Sequence, residues 1–89
     1  MRLQRIFLDQ ENIKLKRQLE TMSNTLQFSN ALSKLYFDFT VEDLTHGSTL
    51  EECERTLKFF EDLELYEECE GIHLAIKSAK FFLGLSKIN

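Results

Sequence analysis

The stretch LDQENIKLKRQLETMSNTL, residues 8–26, decides the fold that this sequence predicts. Six positions in this stretch are separated by alternating gaps of four and three residues. Five of them are apolar and one is polar. These positions, called the seam below, are Leu8, Asn12, Leu15, Leu19, Met22 and Leu26. Such a repeat is the contact line of a two-stranded coiled coil, in which a single asparagine fixes strand number and register. The seam therefore predicts a coiled coil over 8–28 and an oligomeric protein.

Two charged residues beside the seam agree with this prediction. Glu11 precedes Lys16 by five residues, the spacing that pairs charges across two parallel helices of a coiled coil. We therefore include both residues in the predicted oligomer interface, so that the chain is expected to pair with itself as a homodimer or a higher homo-oligomer.

The composition favours one small all-α domain. The 89 residues are 43% hydrophobic, contain no proline and have only three glycines. Few helix breakers together with much leucine, glutamate and lysine favour long helices over sheets. A chain this short buries a limited core, and oligomerisation is a common remedy.

The sequence also indicates a cellular location. No apolar run approaches the length of a membrane span, and the N-terminus lacks the apolar region of a secretion signal. Two cysteines make no disulfide framework. The sequence thus predicts a cytoplasmic protein with reduced thiols and no membrane partner.

The helical spacing divides the chain into three segments. A long helix is predicted over 1–36, because apolar positions continue past the seam to Tyr36. Residues 37–48 are predicted as a linker with one helical turn near 41–45, since Thr40 begins a capping-box pattern and Gly47 suits a positive φ.

Residues 49–89 are predicted to form an antiparallel helical hairpin. One apolar stripe would face the other, and the two stripes are Leu50, Cys53, Leu57 and Phe60 against Cys69, Ile72, Ile76 and Leu83. The connection is expected at 62–65. No glycine or proline marks this turn, so one continuous helix over 49–85 is the alternative.

Charge is concentrated in the middle of the chain. Residues 42–70 carry eleven acidic side chains against Arg55 and Lys58. This balance disfavours nucleic acid as a partner. An acidic surface can bind basic partners or mimic DNA, although a set of solvated helix faces explains the charge more simply.

Two segments resemble known families. Residues 9–20 resemble a leucine zipper, without the long basic region of zipper transcription factors. The segment FFEDLELYEECEGIHLAIK, residues 59–77, is similar to the UVR motif of nucleotide-excision-repair subunits, although His73-Leu74 replaces an Arg-Asp pair. That resemblance implies a short antiparallel hairpin for protein interaction. The chain also resembles small helical proteins of tailed phages, which implies host cytoplasm or a virion.

A metal site is the alternative reading of the second half. Glu70 and His73 have the i, i+3 spacing of carboxylate-bridged di-metal bundles, and Cys69 with His73 has a spacing that can hold zinc. Further ligands would have to come from a set of other side chains, namely Glu52, Glu64, Cys53 and His46. Chance explains the spacing more simply, so we predict no catalytic, cofactor-binding or metal-ligating residue.

Aromatic residues are more numerous than one hairpin core can hold. Adjacent pairs such as Phe59-Phe60 and Phe81-Phe82 cannot both face the same core. The candidate partner surface predicted from this surplus is Phe59, Tyr66, Phe81 and Phe82. Together these observations predict a non-enzymatic interaction module that self-associates and binds a larger protein, as adaptor, inhibitor or assembly component. A metal-binding helical bundle or small metalloenzyme is the alternative.

Overall fold

Four helices make up the part of the chain that the structure describes. The computed structural model describes the backbone of residues 2–88 and the side chains of residues 13–84. The helices are α1 (Arg2–Thr25), α2 (Ala31–Thr45), α3 (Leu50–Asp62) and α4 (Tyr66–Ile88). Over this described backbone there is no strand, so the all-α prediction is confirmed. None of these helices has the length and apolar character needed to cross a membrane.

The prediction of one helix over 1–36 is wrong, because the chain turns over residues 26–30. Asn30 has an extended backbone, and its side chain accepts a hydrogen bond of 2.9 Å from the backbone N–H of Ser33. An asparagine in this role satisfies a donor that the first helical turn leaves unpaired. Asn30 therefore marks the start of a new helix, with Ser33 in its first turn.

The linker predicted over 37–48 is also wrong, since most of it belongs to α2. Thr40 does not cap the start of a helix. It is buried inside α2, and its hydroxyl donates to the Tyr36 carbonyl of the same helix. Tertiary burial here overrides a local capping pattern. Gly47 has the predicted positive φ, at 109°, and ends the turn after α2.

The last two helices form the predicted hairpin. Leu63, Glu64 and Leu65 connect α3 to α4, and Glu64 adopts the left-handed conformation with φ 60° in place of a glycine. An ion pair of 2.7 Å joins Lys80 to Glu54 across the hairpin. The alternative of one continuous helix is wrong, because a non-glycine residue takes the strained turn position.

One position of the predicted hairpin stripes departs from the core. Leu83 is 39% exposed, whereas Cys53, Cys69, Ile72 and Ile76 are buried.

The centre of the molecule is a parallel pair of helices, α2 and α4. The Ser33 hydroxyl donates to the Glu67 carbonyl (2.8 Å), and one turn later Phe37 lies beside Gly71. A methyl group at Gly71 would collide with the Ser33 carbonyl oxygen and lie 2.8 Å from the Phe37 backbone nitrogen. Glycine is therefore the residue that permits this approach of two backbones.

The small residues of α4 recur on one face. Ala75 and Ala79 follow Gly71 at intervals of four residues and are fully buried. Larger side chains from the other helices fill the space around them. The main cluster of buried apolar side chains consists of Leu19, Phe37, Val41, Leu44, Cys53, Ile72, Ala75, Ile76 and Ala79, and Cys69 is buried as well.

The outer helices flank this pair. On one side, α1 runs antiparallel to α2, because Lys16 pairs with Glu42 (3.1 Å) while Ser23 donates to Asp38 (2.8 Å). On the other side lies α3. Within the described residues, α1 and α3 do not meet. Over the described residues the result is a bundle of four helices that measures 42 × 25 × 22 Å.

The seam packs inside the chain over the part that the structure describes. Leu19 is fully buried, and three further seam residues pack against the core, namely Leu15, Met22 and Leu26. Their four-three spacing is accounted for by α2 and α4 of the same chain. The side chains of Leu8, Glu11 and Asn12 lie outside the described residues, so pairing between two chains stays a prediction.

Gly71 and Gly84 offer a matched test of the central helix contact. Gly71→Ala should destabilise the protein by about 1–3 kcal/mol, because the methyl group forces two backbones apart. Gly84→Ala should stabilise it by about 0.5–1 kcal/mol, since a methyl group there meets no atom within 4 Å and alanine favours helix. Urea unfolding followed by circular dichroism measures both. Equal effects at the two sites would contradict the close contact.

Two measurements test how the seam packs: the effect of truncating Leu19 on stability, and the dependence of the melting temperature on protein concentration. Leu19→Ala should lower the free energy of unfolding by about 2–5 kcal/mol, because it leaves a cavity in the core. If the seam is satisfied within the chain, the wild-type melting temperature should not depend on protein concentration. A melting temperature that rises with concentration would favour the coiled coil, and Thr21→Ala on the exposed face of α1 serves as the control.

Candidate interaction surface

Four aromatic rings cross from α2 to α3 in a continuous series. Phe39 contacts Tyr36 with ring centroids 5.4 Å apart, Tyr36 contacts Phe60 at 5.4 Å, and Phe60 contacts Phe59 at 5.6 Å. All three contacts are edge to face, the arrangement that aromatic quadrupoles favour. We call these four residues the aromatic strip.

The two ends of the aromatic strip are the exposed part. Phe39 is 50% exposed and Phe59 60% exposed, while Tyr36 and Phe60 are half-buried and pack against the core. Helical spacing extends the apolar surface, because Leu35 precedes Phe39 by one turn on α2 and Leu63 follows Phe59 by four residues. Both leucines are exposed. The aromatic strip is thus anchored in its middle and open to solvent at its ends.

Acidic side chains border the Phe39 end. Phe39 lies at the edge of a shallow cavity between α1 and α2, whose acidic lining residues are Glu20, Asp38 and Glu42. The Lys34 ammonium also lines this cavity, and it is held by Asp38 (3.4 Å) and by the Ser23 hydroxyl (2.9 Å). The Lys16 ammonium pairs with Glu42 (3.1 Å), so three acids lie beside two cations and the cavity keeps an excess of one negative charge.

The Phe59 end lies on the acidic outer face of α3. Phe59 lines a depression with Glu52, Arg55 and Thr56. Glu52 completes the capping box of α3, because Thr49 and Glu52 each donate a backbone N–H to the other's side chain. These hydrogen bonds lower the pKa of the Glu52 carboxyl and keep it ionised.

The predicted partner surface divides into separate places. Of its four residues, Phe59 belongs to the aromatic strip. Tyr66 and Phe81 are exposed but lie about 22 Å apart along α4. Phe82 contacts Phe81 (5.4 Å) and packs against the core. The surplus of aromatics was visible in the sequence, but the pairing of Tyr36 and Phe39 with α3 was not, because it depends on where α2 lies.

The side chains that the sequence analysis named as candidate metal ligands lie in different surroundings. The Glu70 carboxylate accepts hydrogen bonds from the Ser29 hydroxyl (2.6 Å) and the Ser29 backbone N–H (3.2 Å). His73 is exposed, whereas Cys53 and Cys69 are buried. Among the described residues, no three histidine, cysteine or acidic side chains are grouped so as to hold a metal ion.

Both thiols are held in their protonated form. Burial raises the pKa of Cys53, and the negative charges of Asp43, Glu52 and Glu54 raise it further. Burial is also the main cause of the raised pKa of Cys69. A nucleophile or metal ligand needs the thiolate, which these surroundings disfavour. The two cysteines act as small apolar core residues.

Glu70 makes part of the stability dependent on pH. Hydrogen bonds from Ser29 lower the pKa of its carboxyl in the folded state. Its contribution is therefore present above the pKa of an unfolded glutamate and is lost as pH falls through the lower folded value.

Glu70→Gln should consequently melt at a lower temperature than wild type at neutral pH, with a difference that shrinks towards about pH 3. Thermal melts across this pH range measure the difference. Glu61→Gln, on the exposed side of α3, is the control and should show a small difference. A Glu70→Gln difference that stays constant with pH would show that Ser29 does not preferentially bind the carboxylate.

Comparison with known proteins adds no relative. No protein-family model, no curated protein and no solved structure matches this chain.

Proposed function

We propose that this chain is a non-enzymatic helical module that binds another protein through the aromatic strip. The observation that carries the proposal is the series of four rings in contact, with more than half of Phe59 and half of Phe39 exposed. Exposed apolar patches of this kind commonly mark protein interaction sites. Aromatic residues also dominate the energetics of interfaces.

The way the rings are held supports binding rather than incidental exposure. Tyr36 and Phe60 pack on the core, and each end ring rests edge to face on one of them. Ordering mobile side chains lowers affinity, so side chains already held in place reduce that cost. A partner that covers Phe39 and Phe59 therefore gains apolar burial at a small cost in entropy.

Adaptor, inhibitor and assembly component are the roles that such a module fits. Self-association through the seam is a separate part of the proposal, and it would require α1 to leave the bundle, because Leu19 is buried there. A cytoplasmic location belongs to the proposal as well, in keeping with two free cysteines.

Affinity capture with matched variants tests the proposed function. Tagged wild type should recover a protein from the source cells that the double variant Phe39→Ser/Phe59→Ser fails to recover. Removing two rings from the centre of an interface costs about 2 kcal/mol or more, a loss of at least about thirtyfold in affinity.

The control is Phe81→Ser, which removes an equally exposed ring outside the aromatic strip. It should recover the same protein as wild type. All three proteins should keep their helical content, since the substituted rings are half or more exposed. If the double variant recovers the cellular protein as well as wild type does, the aromatic strip is not the docking site.

A further inference from the structure

We infer that the partner contributes a basic amphipathic helix, whose apolar face covers the aromatic strip and whose lysines or arginines face the acidic residues beside it. This inference rests on the proposed function and adds the chemistry of the partner. Two observations carry it: the charge that borders the strip and the spacing of its rings.

The charge around the strip selects a cationic partner. Residues 31–62, which include α2 and α3, carry eight acidic side chains against three basic ones. Four of the eight acids are in ion pairs: Lys34 pairs with Asp38 and Lys58 with Asp62, while Lys16 of α1 pairs with Glu42 and Lys80 of α4 pairs with Glu54. The remaining charged side chains of this segment are Asp43, Glu51, Glu52 and Glu61 against Arg55, so an acidic excess remains. Glu20 adds a further acid at the Phe39 end from α1. A cationic helix would gain attraction here and would be steered to the site, whereas an acidic one would be repelled.

The spacing of the rings suits the side chains of a helix. Successive ring centroids of the aromatic strip are 5.4–5.6 Å apart. Residues three or four apart on a helix recur at about the 5.4 Å pitch, so apolar side chains at i, i+4 and i+7 can meet successive rings. The described backbone contains no strand that could take an added strand by edge pairing.

A second copy of the same surface fits less well. Two copies of the aromatic strip brought face to face would also bring their acidic borders together, and like charges in contact oppose association. The occupant is therefore a chain of opposite charge, and helix-in-groove docking is the binding mode that combines both features.

Two synthetic peptides test the inference. One is a helical peptide of leucine and lysine with leucine at i, i+4 and i+7, and the other has glutamate in place of every lysine. Fluorescence anisotropy should show the lysine peptide binding wild type at least about tenfold more tightly than the glutamate peptide. Phe39→Ser/Phe59→Ser should reduce binding of the lysine peptide at least about tenfold, and Phe81→Ser should leave it unchanged.

Charge reversal at the border supplies a second test. Glu20→Lys should lower the affinity for the lysine peptide by about threefold to tenfold and raise the affinity for the glutamate peptide. Added salt should reduce both effects. Glu20 is exposed, so this substitution should leave the melting temperature almost unchanged. An affinity for the lysine peptide that does not respond to Glu20→Lys or to salt would overturn the role of charge.

The outcomes separate the inference from the proposed function. Equal affinity for both peptides, or binding of neither, overturns the basic helix, while loss of the cellular partner in the double variant still supports the docking site. A wild-type dimer that the double variant abolishes would make a second copy the occupant and also overturn the inference. Lysine-peptide binding that survives in the double variant overturns the inference, because the peptide then binds outside the aromatic strip, whereas the proposed function is contradicted only when the double variant still recovers the cellular partner.

Discussion

The close contact between α2 and α4 at Gly71 is the constraint on which the rest of the fold depends. With no side chain at Gly71, the Ser33 and Phe37 backbone lies against α4, and Ala75 and Ala79 continue the same small face. Two parallel helices this close leave room for large side chains only at their flanks. Phe37, fully buried, takes part of that space, and α1 and α3 supply most of the rest.

This arrangement also explains why an aromatic surface is exposed. Since α1 and α3 sit on opposite sides of the central pair and do not meet within the described residues, neither covers the face of α2 between them. Tyr36 reaches α3 through Phe60, while Phe39, one turn away, borders the cavity beside α1. The same packing that buries Leu19 thus leaves Phe39 half open to solvent.

The polar groups divide into those that hold the bundle and those that face outward. Ser29 and Glu70 tie the start of α2 to α4, and Ser23 joins α1 to the Lys34–Asp38 pair. No buried side-chain polar atom of the described residues lacks a hydrogen-bond partner. The acids near the aromatic strip lie mostly at the solvent, where they act on an approaching molecule rather than on the fold.

The sequence by itself determined the helical class and the turn at Gly47, because breaker content, helical periodicity and a positive φ are local properties. It predicted the α3–α4 hairpin but left one continuous helix open, because a glutamate rather than a glycine takes the positive φ at residue 64. The acidic character was also readable from composition. Only the tertiary structure decided what the seam of α1 contacts, since a four-three spacing packs equally well on a second chain or on two helices of its own. The tertiary structure also placed Thr40 inside α2, because burial outweighs a local capping pattern. It brought Tyr36 against Phe60, a contact between two helices that leaves no local signal in the sequence.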